Sequence, residues 1–209
     1  MTRRRAKRDL AMWNRRLTRR YRRLKAIDKH HRLHARRLRK YQVAAANVRR
    51  LRKWLREHPP LRARALDEAR KLVGVMEHGG NNTGKQVMKF IRANGGTGPE
   101  PWCGDFVAWC YRVAGSKVVQ RGWASVRLIG RLSGMRVIKL EDAQPGDLVK
   151  FSFDHVGIFV RRVNGTTIET IEGNTGPTGA VSDSSTGGDG VYRKRRNASL
   201  VDEIVRVTR

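Results

Sequence analysis

The covalent chemistry open to this 209-residue chain rests on two cysteines, six histidines and a small set of carboxylates. Cys103 stands in Pro101-Trp102-Cys103-Gly104-Asp105-Phe106-Val107-Ala108-Trp109-Cys110-Tyr111, at what reads as the first turn of a buried helix. There the unpaired backbone N–H groups and the positive end of the helix dipole favour a thiolate, the attacking form of cysteine. Such a nucleophile needs a base to take and return a proton, and an imidazole needs a third group to fix its tautomer and orientation. Four of the six histidines lie within the first 58 residues and His78 falls in an interhelical turn, which leaves His155 as the candidate base. The hairpin signal Asn164-Gly165 brings the start of the His155 strand beside the far end of the next one, where Glu172 and Asn174 stand. A one-residue register slip would put Ile171 there instead. Asp154 is a weaker orienting group, because neighbours on a strand point to opposite faces.

The elements that must hold these groups can be read around them. The cysteine helix has an apolar face from Phe106 to Val113 and meets a C′-type glycine at Gly115. Cys110 shares this helix, about 10 Å along the axis from Cys103 and beyond disulfide reach, and reads as a small core residue. Upstream, Leu66 to Met76 predicts a helix, and Asn81-Asn82-Thr83-Gly84 is placed to cap a second one carrying Val87, Phe90 and Ile91. A short helix is expected around Val126 to Leu132. Strands are expected over Leu148–Phe153, His155–Arg162 and Thr166–Glu172, and near Val191–Arg193 and Glu203–Val207, with a Gly/Ser/Thr-rich loop from Gly173 to Gly190. Alternation sends Val156, Ile158 and Val160 to the core and His155, Gly157 and Phe159 to the other face, where Gly157 leaves room for another chain. Helices followed by a meander of strands make residues 61–209 an α+β domain.

Residues 1–60 are of another kind. The first 58 contain 23 Lys and Arg against three acids, about +20 of the chain's formal +28. With Leu10 at a heptad a position, ten of the fourteen a and d positions to Leu55 are apolar, which predicts a long helix or a helical hairpin. Repulsion between cationic helices opposes parallel self-association, so a hairpin turning near Ala44-Ala45-Ala46-Asn47 is one expectation and a neutralising partner the other. His30, His31 and His34 have no acid beside them and read as polar positions on the helix. Pro59-Pro60 ends the segment.

Together, Pro101-Trp102-Cys103 with Phe106-Val107 and Trp109, Pro145-Gly146-Asp147-Leu148-Val149, His155-Val156-Gly157-Ile158 and Ile171-Glu172-Gly173-Asn174-Thr175 resemble the CHAP family, the cysteine- and histidine-dependent amidohydrolases/peptidases of papain-like fold. The resemblance covers about residues 62–209, and Asn81-Asn82-Thr83-Gly84 adds to it. It implies a peptidoglycan hydrolase resembling phage endolysins, in which Cys103 attacks an amide, His155 acts as base and then acid, Glu172 orients His155 and Asn174 assists. Trp102 would contact substrate. The bond would be the N-acetylmuramoyl–L-alanine amide or a peptide bond of the stem or cross-bridge. The Cys103 N–H would meet the oxyanion, while the papain-like glutamine is replaced by Thr97, leaving the second donor unassigned. No cofactor is expected: some members of the family bind calcium through acids before the cysteine, but only Glu100 stands there, with Asp105 just after.

The expected partners are peptidoglycan for residues 61–209 and an anionic wall polymer or membrane surface for residues 1–60, nucleic acid being a further anionic class. The opening Met-Thr-Arg-Arg-Arg is followed by no apolar run of signal-peptide length. That fits a lysin held in the host cytoplasm until its release to the wall, or one carried in a virion. The alternative is a virion structural or nucleic-acid-binding protein on a vestigial CHAP fold, whose behaviour the basic extension would dominate.

Overall fold

A computed structural model describes residues 1–118, 121–177 and 188–208. The chain divides into two compact units, Met1–Pro60 and Leu61–Arg209.

The first unit is an antiparallel helical hairpin of α1 (Arg3–Lys25) and α2 (His34–Glu57). Its turn occupies residues 26–33, not the expected 44–47. Helix-favouring alanines do not break a helix, and Ala44 is instead fully buried in mid-helix. His30 and His31 fall in the turn, where the His30 amide donates to Asp28 Oδ1 at 2.6 Å. The turn resets the heptad. On α2 the buried positions are Ala44, Val48 and Leu51, so the a series moves back one residue from Ala45 and Arg52 while Val48 keeps its place. Arg3 Nη1 donates to the carbonyl of Leu55 at 2.7 Å and also to that of His58, tying the two ends of the hairpin together.

The second unit opens with α3 (Leu61–Leu72), α4 (Lys85–Ala93) and α5 (Cys103–Val113). Six antiparallel strands follow: β1 (Met135–Ile138), β2 (Leu148–Phe151), β3 (Val156–Arg162), β4 (Thr167–Thr175), β5 (Gly190–Asn197) and β6 (Val201–Val207), in spatial order β1-β6-β2-β3-β4-β5. Helices on one face of an antiparallel sheet give the α+β, papain-like arrangement. Three local expectations change. Residues 126–132 form turns after a short 3-10 helix at Arg121–Ala124. Strand β1 was not anticipated and adds to β6. The α4 cap is Gly84, without a side-chain bond, because Thr83 Oγ1 turns back to the carbonyls of His78 and Gly80. The expected loop from Gly173 to Gly190 lies for the most part outside the described residues, and Gly173 to Thr175 belong to β4.

The core lies between the helices and the sheet, with Phe90, Trp102, Phe106, Tyr111, Ile158 and Ile171 fully buried in it. Phe159 points away from it, as alternation requires, but into a second apolar cluster with Val149, Phe151, Ile168 and Ile204 rather than into solvent. Helix α5 is positioned by a close approach. A Cβ on Gly104 would stand 2.1 Å from the carbonyl oxygen of Trp123, so no larger residue fits without moving backbone. Gly104→Ala is therefore expected to cost about 2–3 kcal/mol, read as a fall in melting temperature of roughly 5–10 °C. The Pro145-Gly146-Asp147 turn holds the other end. Tyr111 Oη donates to the Gly146 carbonyl at 2.5 Å, and buried Asp147 receives Arg206 of β6 at 2.6 and 3.0 Å.

Candidate active site

Cys103 is the first residue of α5 and only 5% exposed, so its side chain leaves the helix where the backbone N–H groups are unpaired. It neighbours His155 closely enough to act on the imidazole electrostatically, and His155 is itself buried immediately before β3. The other side of the imidazole is fixed: His155 Nε2 lies 3.0 Å from Glu172 Oε2. With Nε2 committed to the carboxylate, Nδ1 is the nitrogen left for the sulfur. The β3–β4 register, in which Ile158 faces Ile171, carries the pairing on toward Gly157 and Glu172. A Cβ on Gly157 would come within 2.6 Å of Glu172 Cγ, so the glycine makes the space in which the carboxylate lies.

The carboxylate is held from both sides. Glu172 Oε2 also accepts from Arg196 Nη2 at 2.7 Å, and Oε1 accepts from Arg196 Nε at 3.1 Å and Thr170 Oγ1 at 2.5 Å. Arg196, on β5, is completely buried, and its guanidinium lies 5.5 Å from the ring centroids of both Phe151 and Phe153. The same two rings stack with the His155 imidazole, each 5.9 Å away. Imidazole, carboxylate and guanidinium thus form one connected group with aromatic walls.

Residues 94–174 match the family model of the CHAP domain. The chain carries a CHAP domain. Neither the curated proteins nor the solved structures give a match. A CHAP domain implies an amidase- or peptidase-type hydrolase with peptidoglycan as substrate. The matched span contains Cys103, His155 and Glu172, whereas Arg196 lies beyond it.

The electrostatics of the CHAP site follow from this bonding. Burial alone would depress the His155 imidazole, but the neighbouring Cys103 and the hydrogen bond to Glu172 prevail and push it up to about 9. Burial alone would raise Glu172; hydrogen bonds from His155 and Arg196 prevail and hold it down to about 2. The stability that His155 supplies is present in full below its ordinary 6.5 and is lost as pH rises through about 9. That of Glu172 is present above its ordinary 4.5 and is lost as pH falls toward 2. Denaturant titrations across pH should show His155→Gln flattening the alkaline decline, and an unchanged slope between pH 6.5 and 9 would contradict it.

Two residues of the expected site serve different ends from those the resemblance implied. Trp102 is fully buried, with its indole N–H on Glu77 Oε1 at 2.8 Å and its ring against Gly173, so it offers no surface to a substrate and is corrected to a core residue. An amphipathic indole next to a nucleophile reads equally well either way in sequence. Asn174 adopts a left-handed backbone, φ 55°. In the amide orientation its neighbours require, Oδ1 accepts from the Trp102 amide at 3.1 Å and Nδ2 donates to the Gly188 carbonyl at 2.9 Å. It therefore secures the start of the cysteine helix and not the imidazole. Cys110 is a wholly buried free thiol, pushed up by burial, as a packing residue would be.

The acids near Cys103 do not fit calcium. Glu100 is paired with Arg121, and buried Asp105, raised to about 6 by its burial, accepts from Asn94 Nδ2 at 2.6 Å. Among the described residues no group of His, Cys, Asp and Glu could hold a metal, and no helix is long and apolar enough to cross a membrane. An open cleft of about 550 Å³ runs past Glu100 and Pro101, just before the cysteine, to exposed Asp154, just before the histidine. Arg121, Ser125 and Leu128 also line it.

Proposed function

We propose that the protein is a phage lysin, a cysteine peptidoglycan hydrolase that cuts an amide bond of the wall, either N-acetylmuramoyl–L-alanine or a peptide bond of the stem or cross-bridge. The observation that carries this reading is that buried His155, hydrogen-bonded to Glu172 on one side, neighbours Cys103 at the start of α5 and is raised by it. The substrate lies in the cleft beside Glu100 and Asp154. The Cys103 sulfur adds to the carbonyl carbon as its proton resides on His155, and the Cys103 N–H receives the developing oxyanion. His155 then gives that proton to the leaving nitrogen as the C–N bond breaks. Water, deprotonated by His155, attacks the thioester carbon; the C–S bond breaks, the carboxylic acid product leaves, and His155 returns the proton to the Cys103 sulfur. Glu172 keeps the imidazole oriented and stabilises its protonated form; Arg196 and Thr170 keep Glu172 in place.

Residues 1–60 concentrate the enzyme on an anionic surface, and the protein acts at the wall either after release from the host cytoplasm or from within a virion. The test is incubation of purified walls with the protein, followed by identification of new amino groups. A new N-terminal alanine marks the amidase reaction and any other new amine an endopeptidase. Loss of turbidity without new amino groups would overturn the amide assignment, and no change at all would overturn hydrolysis and leave the virion structural or nucleic-acid-binding alternative.

A further inference from the structure

The helical hairpin has two unlike halves. Its buried residues are Ala6 near the start of α1 and Ala44, Val48 and Leu51 from the middle of α2 onward, and from residue 7 to residue 43 nothing is buried. In this turn-proximal half α1 and α2 instead border a trough of about 830 Å³, lined by Leu33 and seven cations. These are Arg16, Arg19, Arg20 and Arg23 from α1, and Arg36, Arg37 and Lys40 from α2.

The unit's three acids are engaged elsewhere: Asp9 with Arg5, Glu57 with Lys53 and Asp28 with the His30 amide. No ion pair joins the trough to an acid among the described residues. Arg20 and Arg37 donate across the hairpin to the carbonyls of Lys40 and Arg23, at 2.5 and 2.8 Å, so the cations are fixed facing one another despite their repulsion. A cluster of guanidinium groups is suited to paired oxygens of phosphate. We infer that this trough binds one strand of a base-free phosphodiester polymer, a polyol phosphate chain attached to the wall.

Three observations choose this occupant. A double helix is too wide for a trough between two packed helices. Single-stranded nucleic acid is held on aromatic platforms, yet the lining has no aromatic residue: Trp13 is covered by Arg16 and Arg20, 4.9 and 5.9 Å from its ring, and Tyr21 pairs with Tyr41. A lipid surface needs a continuous apolar face, and the exposed large apolar residues of the hairpin are only the scattered Met1, Tyr21 and Val43. The wall origin of the polymer rests on the hydrolase reading above; the phosphate chemistry does not.

The experiment measures binding of the full chain to soluble poly(glycerol phosphate), with oligothymidylate of equal charge and anionic phospholipid vesicles as parallel arms, from roughly 50 to 200 mM salt. Engagement of all seven cations predicts a log–log salt slope of about −5, and Arg19→Gln/Arg23→Gln/Arg36→Gln should remove about 2 from its magnitude and weaken binding at least about tenfold. The same number of charges removed outside the trough, Arg4→Gln/Arg49→Gln/Arg52→Gln, should change affinity less than about threefold at matched salt. Equal losses from the two triple variants would overturn the trough in favour of diffuse charge. Tighter binding of oligothymidylate or of vesicles would overturn the polyol phosphate assignment. Cleavage of soluble muropeptides by the wild-type chain is followed alongside. Cleavage without polymer binding sinks this inference alone, and polymer binding without cleavage sinks the hydrolase reading and the polymer's wall origin while leaving the phosphate site standing.

Discussion

Replacing Cys103 by alanine is expected to lower kcat/KM for peptidoglycan cleavage by on the order of 10⁴-fold or more, about 5 kcal/mol of transition-state stabilisation, while leaving the fold intact. The large effect follows from what the sulfur does: without it no thioester forms, and His155 and Glu172 remain with nothing to activate. The small structural effect follows from its place. Cys103 sits at the end of α5 in an environment that alanine fills with the loss of one small polarizable group, and helix propensity favours alanine. Cys110, about two helical turns along, is the internal comparison. It is wholly buried in the same core, so Cys110→Ala should lower the melting temperature and leave kcat/KM within about threefold. Wall turbidity and thermal melts on the two variants separate these outcomes. Equal activity of Cys103→Ala and wild type would end the cysteine mechanism.

The sequence made the grouping of Cys103, His155 and Glu172 legible because each carried a local signature and the hairpin turn linked two of them. Cys103 stands where an apolar helical pattern begins, and Asn164-Gly165 sets the β3–β4 register within which His155 and Glu172 meet. The α+β order was legible for the same reason, since each period changes at a visible turn. The hairpin turn in the extension was not. Residues 26–33 contain neither glycine nor proline, so nothing punctuates the basic pattern there, while the alanines at 44–46 resembled a break only because the charge lapses. Trp102 shows a different limit. Burial is a property of what arrives from elsewhere, here Glu77 and Gly173, and the residue's own neighbours in sequence do not disclose it. Arg196 was lost in its surroundings: Arg193-Lys194-Arg195-Arg196 reads as a basic surface run in a chain with 46 Lys and Arg. The available signal was alternation, which puts Lys194 and Arg196 on one face of a strand. Only the pairing of β5 with β4 shows that this face is buried against Thr170 and Glu172.

Arg196→Met is expected to damage the site without touching its reacting atoms. The guanidinium donates to both oxygens of Glu172 in a fully buried setting, and its removal leaves a carboxylate whose remaining donors are His155 and Thr170. Breaking one side of a buried pair costs about 3–5 kcal/mol, so the variant should be markedly less stable at neutral pH. Stability alone would not identify a positioning residue, and the pH profile does. Glu172 is held low in part by Arg196, so without it the carboxylate takes up a proton at higher pH. The acid limb of kcat/KM should therefore move upward, with kcat about 10- to 100-fold lower at the optimum as the imidazole loses its fixed orientation. Arg196→Lys keeps the charge but not the two-point geometry and should recover the acid limb more fully than kcat. Pairing Arg196→Met with Glu172→Gln removes the orphaned charge, so the double variant should be more stable than Arg196→Met alone while remaining poorly active. An Arg196→Met enzyme that melts early but keeps the wild-type acid limb and kcat would show that the guanidinium serves the fold only.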